Sequence, residues 1–181
     1  MSKIRFPIWR ANVKIGMFPI ETLVCKARDN LVEINEWGQE IFSKIEKVPE
    51  PISIDLVKIW LRAKNGLPRK SKLKSTRPMF EEAFEAGYCL CPPETALYLF
   101  IDPRRKLLGS FELGMRPVPC VSRASSTGFQ DNLLTIEDHK HRFGHSQCIG
   151  ANHASLDSFA EGVYVLCKAT PELIALGYNK L

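Results

Sequence analysis

Apolar and polar positions change their period several times along this chain, and each change marks an element. Through residue 35 the apolar residues come in short clusters, Ile4–Ile8, Val13–Met17, Thr22–Ala27 and Leu31–Ile34, bounded by proline or by turn formers. Runs of this length and β-branched content predict strands. Arg28-Asp29-Asn30 supplies the Asp-Asn pair that tolerates the positive φ of a tight hairpin turn. The spacing then lengthens. Trp37, Ile41, Ile45 and Val48 recur about every four residues between an Asn35 cap and Pro49, which predicts a helix with one buried face. A second helix is predicted from a Ser53 cap, with Val57, Trp60 and Leu61 as its buried stripe and Asn65-Gly66 as its stop. Pro78, Glu81, Glu82 and Gly87 frame a third helix that offers Phe80, Ala83 and Phe84 to the core.

From Ala96 the pattern returns to strand. Leu97–Ile101 is apolar on both faces, as a central strand would be, and pairs across a basic tip at residues 102–106 with Leu107–Leu113. Val118–Ser122 and Leu133–Ile136 predict two further short strands, and Val163–Cys167 predicts a buried one. Thr170-Pro171-Glu172 opens a short terminal helix that Gly177 ends. The predicted fold is therefore α+β: β-hairpins and a mixed or antiparallel sheet, a central three-helix block and a short C-terminal helix.

A chain of 181 residues with 45% hydrophobic content buries one substantial core, so a single domain over residues 1–181 is expected, any division falling into sub-lobes 1–95 and 96–181. No stretch reaches the roughly eighteen consecutive apolar residues of a membrane span, and no apolar run follows the first charges. The expectation is a cytoplasmic protein with no membrane partner. Its six cysteines are then reduced, serving as core thiols, metal ligands or a nucleophile.

Charge changes the picture at one place. Arg62, Lys64, Arg69, Lys70, Lys72, Lys74 and Arg77 are seven cations in a stretch without an acid; setting them aside leaves 18 cations against 20 acids. Such a loop, broken by Gly66, Pro68 and serines, binds phosphate by neutralising charge and releasing counterions. Arg104 and Arg105 at the hairpin tip extend the same surface if the fold brings them near. Nucleic acid, RNA or DNA, is the partner this distribution points to, with further protein subunits in a nucleoprotein assembly.

Candidate chemistry is concentrated between Glu137 and His153, which holds all four histidines, Cys148 and two carboxylates. Imidazole and thiolate are the ligands zinc prefers, and an extended segment at residues 89–91 would put Cys89 and Cys91 on one side, so Cys89, Cys91, His145 and Cys148 form a chemically sensible zinc set. Without metal, His139, His141 and His145 offer a base and an acid for phosphodiester cleavage, with Lys140 or Arg142 to steady the charged transition state. The His-x-His pair departs from the metalloprotease-like deubiquitinases, because Asn152 stands where their third ligand, an Asp, is needed.

The order helix, helix, basic loop, helix, hairpin over residues 36–113 resembles a winged-helix DNA-binding module. That resemblance implies a recognition helix over Met79–Ala86, but Glu81, Glu82 and Glu85 there repel a phosphate backbone, so loop contacts to the backbone are expected instead. The leading functional expectation is nucleic-acid binding through the basic loop. The alternatives are a phosphodiester-cleaving or other hydrolytic enzyme using residues 137–157, and a protein-binding adaptor.

Overall fold

The computed structural model describes residues 6–61, 76–102, 109–121, 129–141, 144–153 and 162–181. The strands are β1 (Ile8–Ile15), β2 (Val32–Ile34), β3 (Ile52–Leu61), β4 (Tyr88–Cys89), β5 (Phe111–Leu113), β6 (Val118–Val121), β7 (Phe129–His141), β8 (Gly144–His153) and β9 (Gly162–Lys168). They form one mixed sheet in the order β1-β3-β9-β5-β7-β8-β2, with β4 also on β9 and β6 also on β7. The pairs β2–β8 and β5–β9 are parallel and the others antiparallel. Strands from both halves of the chain interleave, since β9 lies between β3 and β5.

Five helices accompany the sheet among the described residues: α1 (Ile20–Asp29), α2 (Glu36–Lys44), α3 (Thr76–Glu85), α4 (Thr95–Ile101) and α5 (Pro171–Ala175). α4 packs on edge strand β1 and on α1, and α1 packs on the other edge strand, β2. The two helices thus connect one edge of the sheet to the other. Every residue from Thr95 to Phe100 is buried, as a helix apolar all round must be. On another side, Phe80 of α3 meets Tyr164 of β9 edge to face, with ring centroids 6.1 Å apart.

The capping signals hold. Asn35 caps α2 by accepting from the Gly38 N–H at 2.9 Å, and Thr170 caps α5 with Pro171 in its first turn. Three of the predicted elements change type. The expected three-helix block is absent, because residues 52–61 form β3 rather than a helix; the alternation of Ile52, Ile54 and Leu56 with Ser53 and Asp55 sets the period at two. Residues 20–29 form α1 rather than a strand, with Ile20, Leu23 and Ala27 as the buried stripe, Glu21 in the first turn and Lys26 and Arg28 in the last. Leu97–Ile101 is helical rather than a central strand; a short run apolar on every side is buried equally well either way. With a strand for its second helix and a helix for a hairpin arm, the winged-helix resemblance over residues 36–113 fails. The histidine stretch is carried by the β7–β8 hairpin.

Candidate functional site

Strand direction brings several separate segments to one end of the sheet. Gly162, the first residue of β9, pairs with Leu61, the last of β3. β5 runs parallel to β9 with Glu112 opposite Tyr164, so Phe111 and the preceding Gly109-Ser110 sit at that end too. Phe111 pairs with Ile136, and β7 continues past it toward the hairpin tip that returns at Gly144. β1 begins near the same end, with Ile8 opposite Val57. The chain therefore enters or leaves the sheet here at residues 8, 61, 111, 141, 144 and 162.

On this end the side chains of Trp9, Arg10, Lys58 and Phe111 form a cluster. Trp9 meets Phe111 edge to face at 5.4 Å, the Lys58 ammonium lies 3.9 Å from the Trp9 ring centroid and 4.8 Å from that of Phe111, and the Arg10 guanidinium lies 5.2 Å from Trp9. Two cations are thus held against one aromatic ring by its quadrupole, with part of their side-chain freedom already lost. Toward β7 the sign reverses: a shallow depression of about 190 Å³ is rimmed by Glu112 and Glu137 over Phe111, Ile136 and Val163.

No known family, curated protein or solved structure matches this chain.

Of the cations expected to touch nucleic acid, Arg77 is exposed on α3, while Arg62, Lys64, Arg69, Lys70, Lys72, Lys74, Arg104 and Arg105 lie outside the described residues. In the sequence, residues 62–75 follow Leu61 and residues 103–108 precede Gly109, and both of these described residues lie at the end identified above. His139 and His141 stand on β7 opposite Ser146 and Gly144, and His145 on β8 stands opposite Lys140. His153 is at the far end of β8, opposite Asn132, roughly 27 Å along the strand from His145 at about 3.4 Å per residue.

The cysteines of the expected zinc set are not brought together. Cys89 and Cys91 sit with Cys167 in the core: Cys89 pairs with Cys167 across β4–β9, and the Cys91 and Cys167 sulfurs are 3.2 Å apart. Cys148 is on β8, with β7 and β5 between it and β9, about 14 Å across at about 4.8 Å per strand. Burial pushes the Cys91 and Cys167 thiols up in pKa, and Cys89 is raised first by its hydrogen bond with Cys167 and then by burial. Burial, then the charges of Glu33 and Glu137, push up Cys148. None of these four is favoured as the free thiolate that a nucleophilic role requires. Among the described residues no group of three or more His, Cys, Asp or Glu is arranged to hold a metal ion.

Two further polar residues escaped the sequence reading. Glu94, fully buried at the start of α4, accepts from the Val48 N–H at 3.2 Å, while its Oε2 and the Thr95 hydroxyl have no hydrogen-bond partner among the described residues. Burial raises the Glu94 pKa to about 7, against the opposing pull of the Val48 amide and the Lys47 charge. One turn on, the Tyr98 oxygen accepts from the Met17 and Phe18 N–H groups at 2.7 and 3.0 Å. The available signal was a lone acid inside the otherwise apolar stretch from Tyr88 to Ile101. Lys58 and Arg10 escaped because the cluster forms only across strands.

Proposed function

We propose that this protein binds the phosphate backbone of a nucleic acid, with little dependence on sequence, at the sheet end where β3 finishes and β5 begins. The observation that supports it most is that Leu61 and Gly109, the residues bordering the two cation-rich stretches in the sequence, both lie at that end, beside Lys58 and Arg10 packed on Trp9. Cations already ordered by an aromatic neighbour lose less freedom on meeting phosphate, and each phosphate neutralised releases counterions. Base readout is not invoked, because exposed Glu81, Glu82 and Glu85 make α3 unfit for a phosphate-lined groove.

The test is fluorescence anisotropy on labelled single-stranded RNA and DNA across a salt series. Binding should weaken as salt rises, and Lys58→Glu should flatten the slope of log K against log salt by about 0.7 to 0.9 for each phosphate that is no longer neutralised. Reversal of Lys70, Lys72 and Lys74 should weaken binding further. Binding that ignores salt and both sets of changes would sink the proposal in favour of the adaptor reading. The β7–β8 hairpin at the same end gives a cleavage reading its one foothold. Cleavage lost in His139→Ala with His141→Ala would put the hairpin to work; cleavage that survives would remove His139 and His141 from any mechanism.

A further inference from the structure

A cleft of about 630 Å³ opens between β1, α1 and α4, away from the β3 and β5 cluster just described. That volume falls within the range of small-ligand sites. Val13, Phe18, Tyr98 and Ile101 make it mainly apolar, with Met17 at its exposed margin. Asn12, in the left-handed region at φ 54° and tied by its N–H to the Asp55 carboxylate at 3.0 Å, interrupts the β1–β3 register just before Val13 and Lys14, both of which line the cleft.

Three observations describe what would fill it. The phenol oxygen of Tyr98, 3% exposed, already accepts two backbone N–H groups, so both lone pairs are used; its own proton has no acceptor among the described residues and remains to be donated. Lys14, Lys26, Asp29 and Asp102 supply two charges of each sign to the cleft; Lys14, Lys26 and Asp29 make no ion pair among the described residues, and Lys26 rests 5.0 Å from the Phe18 ring centroid. The carboxyl end of α1, with Asp29 and Asn30, also faces the cleft and adds partial negative charge there.

The geometry points to a binding site for a small zwitterion with an apolar side chain, of the amino-acid class. Its carboxylate takes the Tyr98 proton and the charge of Lys14 and Lys26, its ammonium meets Asp29 and the end of α1, and its side chain covers Val13 and Ile101. A ligand with only one of the two charges leaves the opposite set unanswered.

Isothermal titration of the full chain with L-phenylalanine, 3-phenylpropionate and phenethylamine separates these terms. L-phenylalanine should bind, with each single-charge analogue at least about tenfold weaker. Asp29→Asn should lower L-phenylalanine affinity and leave 3-phenylpropionate unchanged, while Lys14→Gln should do so and leave phenethylamine unchanged. Tyr98→Phe should weaken both carboxylates. Because that change also takes an acceptor from two amides, Asp29 and Lys14, both exposed, keep the test decisive if the Tyr98 variant does not fold. No heat with L-phenylalanine up to about 10 mM would overturn the assignment, a concentration that still reveals binding of only a few kcal/mol. Equal affinity for 3-phenylpropionate, or an L-phenylalanine affinity unmoved by both surface variants, would overturn it as well.

Discussion

Replacing Glu94 with Gln should change how stability depends on pH, and the structure sets both sign and size. The carboxylate is completely buried; its Oε1 accepts one backbone N–H while Oε2 has no hydrogen-bond partner among the described residues. Burial disfavours the charged form and raises the pKa from 4.5 to about 7. An acid whose folded pKa lies above its unfolded value binds its proton more tightly in the folded state. Its contribution is therefore fully present below about pH 4.5 and is lost as pH rises through about 7. The difference between 4.5 and about 7, at about 1.4 kcal/mol per pH decade, is about 3 kcal/mol. Gln keeps an acceptor for Val48 and does not titrate. Urea unfolding of both proteins from acid to mildly alkaline pH cancels the titrations they share. The stability of the native sequence relative to Glu94→Gln should fall by about 3 kcal/mol across that window. Parallel curves, or a difference that grows with pH, would refute the reasoning.

Leu97→Ala removes a fully buried side chain from α4 and should cost about 3 kcal/mol in urea unfolding; a loss below about 1 kcal/mol would mean that α4 is not central to the core. Gly38→Ala would ordinarily help a helix, but the new Cβ would lie 2.8 Å from the Ile149 carbonyl oxygen of β8, so a net loss of about 1 to 3 kcal/mol is expected from thermal unfolding. Iodoacetamide mapped by mass spectrometry should modify exposed Cys25 first and reach Cys89, Cys91 and Cys167 only on unfolding; native labelling of Cys167 as fast as Cys25 would contradict the buried thiol cluster.

Local signals in the chain were reliable where the physics is local. Asn35, Thr170-Pro171 and Gly177 mark helix ends through hydrogen bonds and backbone preferences that span only a few residues. β9 and the α3 region were legible for the same reason. Of the candidate site, the unequal distribution of cations was legible. Lys58, Arg10 and Trp9 were not, because their meeting depends on β1, β3 and β5 converging around β9.

What the sequence determined by itself was a mixed α+β composition, the helix caps, and a basic stretch in an otherwise nearly neutral chain. Tertiary structure decided three element types: β3 over a helix, α1 over a strand, and α4 over a central strand. The reason is that hydrophobic periodicity reports which faces are buried. When the surroundings bury every face, as β1 and α1 help to do around Leu97–Phe100, helix and strand bury the same side chains. Tertiary structure alone also turned Cys89 and Cys91 toward Cys167, and set Tyr98 against the Met17 and Phe18 amides so that its proton is left for the cleft. Each of these partners lies dozens of residues away in the chain, beyond the reach of any local pattern.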